Sequence, residues 1–155
     1  MNRRVFVSRA AVLGVGMSMA GLGGPFAIAT PSMEAALEIP EPIKSWAKGR
    51  VLRQGRVQLA LPPLVENGFL VRMLVRVDSP MTRSDHIQEI RIFSEANPSP
   101  YVANFHLSPQ LPEARVETRI RLADTQSVWA VAQTNTNELW YGHQQVIVTL
   151  AACAG

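Results

Sequence analysis

Residues 115–122 read R-V-E-T-R-I-R-L, the strictest alternation of polar and apolar side chains in the chain. Because successive side chains of a β-strand point to opposite faces of a sheet, this period of two predicts a strand with one buried face. The set that runs from Val116 to Leu122 is expected to face inward, and the charged set from Arg115 to Arg121 is expected to face solvent. The segment therefore indicates a sheet that packs on a core.

The same period recurs on both sides of this segment, with turn signals such as Pro62-Pro63 and Asn67-Gly68 between the runs. Segment 128–133 is apolar on both faces and therefore predicts a central strand. Phe69 and Tyr101 are expected on the inward faces of their strands. The pattern predicts an all-β fold, an antiparallel β-sandwich, with a barrel as the main alternative because strand count does not decide closure. The further strands are predicted at 57–61, 69–77, 87–93, 101–107, 139–141 and 145–150.

One short helix is predicted ahead of the strands. Pro42 stands where helices begin, Ile43, Trp46 and Ala47 recur at helical spacing, and Gly49 can end the helix. The face that carries Trp46 is expected to pack on the sandwich. The predicted organisation is a signal peptide at 1–29, a lead-in with this helix at 30–56, the sandwich at 57–150 and a C-terminal arm at 151–155.

The first 29 residues have the layout of a twin-arginine export signal. Arg3 and Arg4 precede an apolar, Gly- and Ala-rich stretch that ends in the small-x-small pattern Ala27-Ile28-Ala29. A membrane anchor is the alternative, but six Gly and Pro residues in this stretch, among them Gly23, Gly24 and Pro25, make it a poor membrane span. We therefore expect a cleaved leader and a periplasmic protein.

Removal of the leader changes the charge balance. The chain has 15 Lys and Arg against 12 Asp and Glu, and the leader holds three arginines and no acidic residue, which leaves 12 of each in the exported part. A net charge near zero argues against nucleic-acid binding and against an anionic membrane surface as partner.

The chain ends V-I-V-T-L-A-A-C-A-G, and Cys153 is its only cysteine. Its neighbours carry no side chain beyond a methyl group, so the tail cannot bury enough apolar surface to offset the entropy of ordering it. The sequence predicts a mobile arm with a thiol that is reactive or pairs between molecules. The arm residues are Ala151, Ala152, Ala154 and Gly155.

The tail allows three other interpretations. L-A-A-C resembles a lipoprotein signal, but that signal acts only behind an N-terminal signal peptide. Prenylation requires the cysteine fourth from the end, and Cys153 is third. A buried structural cysteine is the remaining alternative, against which stands the fraying of chain ends.

Candidate catalytic and metal-binding residues are few. His86, His106 and His143 lie in different segments without the short spacings of a zinc site. A blue-copper site would place a histidine and an axial ligand close behind Cys153, where only two small residues follow. No metal site and no catalytic residue is therefore predicted.

Several motifs occur together: E-N-G at 66–68, V-D-S-P-M-T at 77–82, I-F-S-E-A-N-P at 92–98, F-H-L-S-P at 105–109, T-R-I-R-L-A at 118–123 and the terminal Cys153. In combination they resemble the SoxY family of the bacterial sulfur-oxidising (Sox) system. The resemblance covers most of the exported part, and its specificity lies in the combination.

This resemblance implies an immunoglobulin-like sandwich that is a sulfur carrier and not an enzyme. In such proteins the cysteine takes up thiosulfate as an S-thiosulfonate formed by a haem cytochrome, a hydrolase releases sulfate, and a sulfane dehydrogenase oxidises the sulfur left as a persulfide. Cys153 would be the covalent attachment site, with no other cofactor. The family resemblance also implies a heterodimer with a SoxZ-like subunit.

The tail departs from the family pattern G-G-C-G-G, because A-A-C-A-G stands here and alanine has less backbone freedom than glycine. The departure bears on the fit of the arm into enzyme channels and on whether this copy serves the full thiosulfate pathway. The alternative function is a non-carrier periplasmic interaction module that docks through its tail. Trp129, Trp140 and Tyr141 would form either a partner surface or part of the core.

Overall fold

The computed structural model describes residues 38–149, which lie within one compact unit. The predicted signal peptide, residues 30–37 of the predicted lead-in and the predicted C-terminal arm lie outside this range. The elements in chain order are α1 (Glu41–Ala47), β1 (Leu52–Gln54), β2 (Val57–Ala60), β3 (Leu64–Val65), β4 (Val71–Val77), β5 (Ile87–Ser94), β6 (Tyr101–His106), β7 (Ala114–Ile120), β8 (Gln126–Thr134) and β9 (Leu139–Val148).

The strands form two sheets, so the fold is the predicted β-sandwich and not a barrel. The larger sheet has the order β1-β9-β8-β5-β6, with β3 also paired to β9, and the smaller sheet has the order β2-β4-β7. The long strands pair antiparallel. β1 and β3 run parallel to β9. The prediction of an antiparallel sandwich did not include these two parallel pairings. Strands of two or three residues are too short to show a period, which is why neither was predicted.

The segment 115–122 forms β7 and the turn that follows it. Ile120 and Leu122 are 5% and 0% exposed, as their inward phase predicts. Val116 and Thr118 share that phase but are only half-buried, because β7 is the edge strand of the smaller sheet. Its one neighbour, β4, buries alternate side chains from Val71 to Val77 in the core between the sheets.

The prediction of a central strand at 128–133 is confirmed, since β8 lies between β9 and β5. Its two faces are buried against different layers. Val128, Ala130 and Ala132 belong to the core between the sheets, whereas Trp129 and Val131 pack beneath α1. An apolar run without alternation is what burial on both faces requires.

The predicted helix is confirmed as α1, which covers the outer face of the larger sheet. Ile43 and Ala47 are fully buried on that face, and the half-buried Trp46 ring lies 6.3 Å from that of Phe93. The helix ends at Lys48, whose left-handed φ of 50° is followed by Gly49 at 78°.

The prediction of two separate strands at 139–141 and 145–150 was wrong, because β9 runs unbroken through Gly142. A Cβ at that position would lie 2.5 Å from the carbonyl oxygen of Val57 on β2. Glycine therefore marks the close approach of the two sheets and not a break in the strand.

Two residues expected to face inward do not. Phe69 precedes β4, is 48% exposed, and lies 4.9 Å from the guanidinium carbon of Arg121. Its position follows from the Asn67 turn, in which the Asn67 side-chain oxygen accepts a hydrogen bond from the Phe69 amide at 2.8 Å. Tyr101 is 46% exposed because a register shift between β5 and β6 at Ile92/Phe93 changes its phase.

In residues 38–149 no helix combines the length and the apolar character that a membrane crossing requires. The predicted division into segments stays a prediction, with α1 and β1 both lying in the part assigned to the lead-in.

Candidate functional site

The predicted attachment site, Cys153, and the arm residues Ala151, Ala152, Ala154 and Gly155 lie outside the described residues, as do Arg3 and Arg4 of the predicted leader. What the structure describes is the end of β9, which leads directly into the arm. The site can therefore be built up to Thr149.

On one side the end of β9 is held by the short parallel strand β3. The Ile147 amide donates to the Pro63 carbonyl at 2.9 Å, and the Thr149 amide donates to the Val65 carbonyl at 3.1 Å. The Thr149 hydroxyl also donates to the Glu66 carbonyl at 3.3 Å. These bonds continue the ladder to the last described residue, so that fraying at the end of the strand is opposed.

The side chain of Thr125 holds the other side. Its hydroxyl accepts a hydrogen bond from the Val148 amide at 2.9 Å and donates to the Val148 carbonyl at 3.4 Å. Val146 and Val148 are meanwhile buried in the core at 0% and 8% exposure. The end of β9, which precedes the predicted arm, is thus held on two sides.

The loops around this end of the sandwich are joined through Asn97 and Gln126. The Asn97 side-chain oxygen accepts from the Ala123 amide at 2.8 Å and from the Gln126 side chain at 3.0 Å, while its nitrogen donates to the Arg121 carbonyl at 2.9 Å. Gln126 is 4% exposed and is the register partner of Val146 on β9. The network joins the loops that hold Asn97 and Ala123 to the start of β8.

These supporting residues were not found from the sequence. Asn97 was visible only as part of the I-F-S-E-A-N-P motif, without a role of its own, and neither Thr125 nor Gln126 stood out. Their contacts join segments more than 20 residues apart, such as Asn97 with Ala123 and Thr125 with Val148.

Exposed apolar side chains lie beside the arm base. Leu64 and Ile147 are register partners of β3 and β9 and are 53% and 49% exposed. An apolar pair at this position is suited to contact with another protein surface.

Each of the three histidines contacts a different part of the chain. His86 Nδ1 lies 3.0 Å from the Thr82 carbonyl oxygen, and His106 Nε2 lies 3.1 Å from the Asn104 side-chain nitrogen. The His143 ring stacks on Trp129 with centroids 4.7 Å apart. Across residues 38–149 the structure shows no group of three or more His, Cys, Asp or Glu residues arranged to hold a metal ion.

The late aromatic residues divide between core and surface. Trp129 is 1% exposed and its indole nitrogen donates to the Glu95 carboxylate at 2.7 Å, so this residue belongs to the core. Tyr141 packs on it with ring centroids 5.6 Å apart. Trp140 is half-buried, with the guanidinium carbon of Arg56 4.9 Å from its ring. The partner-surface interpretation is therefore wrong for Trp129.

The described part of the chain is thus a two-sheet β-sandwich whose last strand is hydrogen-bonded on both sides, and in the sequence the only cysteine follows that strand by five residues. The family model described as "Sulfur oxidation protein SoxY" matches residues 43–153, a range that includes Cys153. The chain belongs to the SoxY family, and its class is that of a sulfur-oxidation carrier protein.

Solved structures agree with this assignment. The sulfur carrier protein SoxY from Chlorobium limicola f thiosulfatophilum is 28% identical with a TM-score of 0.58, over 69% of this chain and 88% of that one. A superoxide reductase (neelaredoxin) from Ignicoccus hospitalis is 18% identical with a TM-score of 0.55, over 61% and 80% of the two chains. A putative superoxide reductase from Thermotoga maritima is 20% identical with a TM-score of 0.52, over 66% and 89%. Similarity to the reductases at this identity shows the shared fold alone. Comparison with curated proteins found no match.

Proposed function

We propose that this protein carries oxidised sulfur covalently on the Cys153 thiol and presents it to partner enzymes of the Sox system. The observation that carries the proposal is the family match over residues 43–153, a range that starts in the helix and ends at Cys153, the only cysteine in the chain. The anchored end of β9 supports it, because a carrier needs a fixed body from which a short arm extends.

The chemistry assigned to the thiol is a two-electron oxidation. Cys153 and thiosulfate join through a new sulfur–sulfur bond, the thiol proton is released, and a partner haem cytochrome takes up both electrons. Water then attacks the terminal sulfonate sulfur in a partner hydrolase, sulfate leaves, and a persulfide remains on Cys153 for oxidation by a sulfane dehydrogenase. The chain itself is the substrate platform in each step and not the catalyst.

The weak intrinsic reactivity of a thiol supports this division of labour. A free cysteine has a pKa of about 8.5, so only a few per cent is thiolate at neutral pH. Activation is therefore assigned to the partner enzymes. The predicted twin-arginine leader exports the protein to the periplasm. There its heterodimer partner is a SoxZ-like subunit.

Intact mass spectrometry tests the attachment site. Protein purified from cells grown on thiosulfate is expected to carry sulfur adducts that a thiol reductant removes, and the Cys153→Ser variant is expected to carry none. The variant should retain the circular dichroism spectrum of the wild type, because folding of residues 38–149 should not require contacts from a side chain near the chain end. Adducts on the variant, or growth on thiosulfate supported by it in cells without another SoxY protein, would contradict the proposal. An unmodified wild-type chain would favour a non-carrier interaction module.

A further inference from the structure

The free edge of β7 is open for hydrogen bonding, as the ladder pattern shows. The Asp78 amide donates to the Arg56 carbonyl at 2.9 Å, so even-numbered residues of β4 direct their backbone groups toward β2 and odd-numbered ones toward β7. The backbones of Val75 and its register partner Val116 are therefore hydrogen-bonded to each other. The residues between those bonded pairs on β7 have their amide and carbonyl groups directed away from β4. They are Arg115, Glu117 and Arg119.

Of these outward amides, that of Arg115 donates locally to the Glu113 carbonyl at 3.1 Å. The amides of Glu117 and Arg119 remain directed at the free edge. β7 contains no proline, bulge or inward-pointing charge that would protect it. The other edge strand on this side, β6, has the register shift at Ile92/Phe93, so its edge is irregular.

The edge strands β6 and β7 of the two sheets lie on the same side of the sandwich, since residues of both line one groove. The larger sheet extends to β6, and the smaller one stops at β7. Between them lies a groove of about 510 Å³, with Tyr101, Val102 and Ala103 on one wall and Thr118 to Arg121 on the other. Val102 and Ala103 are half-buried against the core. A strand added about 4.8 Å from β7 would occupy this groove and cover those side chains.

The outer face of the smaller sheet determines the charge that such a strand would carry. Arg72 and Arg119 are direct register partners, an arrangement that like-charge repulsion disfavours. Arg72 is paired with Glu117, whereas Arg119 makes no ion pair within residues 38–149. The neighbouring Arg121 likewise has none there and lies over the ring of Phe69.

We infer that the edge of β7 binds an extended segment of a partner protein in which acidic and apolar side chains alternate. Its backbone bonds the outward groups of Glu117 and Arg119, its acidic side chains face Arg119, and its apolar side chains fill the groove beside β6. This inference is independent of the proposed sulfur chemistry.

A peptide-binding experiment tests it with the full chain that carries Cys153→Ser, in the absence of any sulfur compound. The probe is a capped peptide of about nine residues, the length of an ordinary strand, that alternates glutamate with valine. A peptide that alternates lysine with valine is the control. Hydrogen exchange is followed at single amides by nuclear magnetic resonance.

The acidic peptide is expected to slow exchange at the Glu117 and Arg119 amides about tenfold or more. The Thr118 and Ile120 amides, already bonded to β4, should exchange slowly with and without peptide. Arg119→Glu should weaken binding of the acidic peptide about tenfold by reversing one charge contact. Arg83→Glu changes an exposed arginine that does not line the groove, and it should leave the affinity for the acidic peptide unchanged.

Three results would overturn the inference. They are slowed exchange at other edges only, equal binding of the lysine peptide, or no slowing at millimolar peptide. If the free chain instead sediments as a dimer with those same amides already protected, the occupant is a second copy of this chain and the acidic partner segment is wrong.

Discussion

Replacing Gly142 by alanine should destabilise the protein, although a glycine-to-alanine change within a strand ordinarily stabilises. Gly142 has no left-handed φ, so alanine can adopt its backbone conformation, and the smaller unfolded-state entropy alone would stabilise by about 0.4 to 1 kcal/mol. The added Cβ, however, would lie 2.5 Å from the Val57 carbonyl oxygen and 3.2 Å from its carbon. A relaxed carbon–oxygen contact is about 3.3 Å or longer, so β2 must move by roughly 0.8 Å.

That movement involves backbone and not the end of a flexible side chain. Val57 begins β2 and is the register partner of Val77, both of them buried in the core. Overpacking of this kind costs about 1 to 3 kcal/mol, and we expect a net loss of about 2 kcal/mol in the free energy of unfolding.

Urea denaturation followed by tryptophan fluorescence measures this loss. Gly49→Ala is the control, since no atom lies within 4 Å of the added Cβ and only its left-handed φ of 78° opposes the change. The control should lose about 1 kcal/mol and leave the resonances of Val57 and Val77 in place. If Gly142→Ala is as stable as the wild type or more stable, the close approach of the two sheets is not the reason for glycine at this position.

Two further predictions concern the arm and its base. Thr125→Val removes the hydroxyl that bonds the amide and carbonyl of Val148, so it should lower the free energy of unfolding in urea by about 1 kcal/mol and speed exchange of the Val148 amide. The control Thr149→Val changes an exposed hydroxyl and should stay within about 0.5 kcal/mol of the wild type. Equal losses would show that Thr125 does not hold the strand end. Ala152→Phe should leave the melting temperature within a few degrees, because a chain end contributes little to folding. It should slow the loading of Cys153 by purified partner enzymes, because the proposed carrier arm, about 14 Å long if extended from Thr149 to Cys153, would have to enter a narrow channel. Normal loading rates would count against an arm that enters one.

The class of fold could be predicted because the signals for strands are local. The alternation at 115–122 and the apolar run at 128–133 each follow from which faces of a strand are buried, and that information is contained in neighbouring residues. The same holds for α1, whose proline start and helical spacing of Ile43, Trp46 and Ala47 lie within a few residues.

Errors arose where a local signal had a non-local cause. Two strands were predicted at 139–141 and 145–150, but β9 continues through Gly142, where the carbonyl of Val57 on the opposite sheet requires glycine. The alternation predicted that Tyr101 faces inward, but one extra residue in β6 shifts the register against β5 and turns Tyr101 outward. The sequence allowed Trp129 to lie either on a partner surface or in the core, and the packing of α1 over it decides for the core.

The identity of the candidate attachment residue needed only the sequence, since one cysteine near the end of the chain leaves no other choice of thiol. How the body holds the arm was decided only by tertiary structure. Val65 and Thr149 are 84 residues apart, and Thr125 and Val148 are 23 apart, so neither contact leaves a periodic or compositional trace. Hydrogen bonds between distant segments depend on the register and the packing of whole strands, and these are determined only when the two sheets assemble.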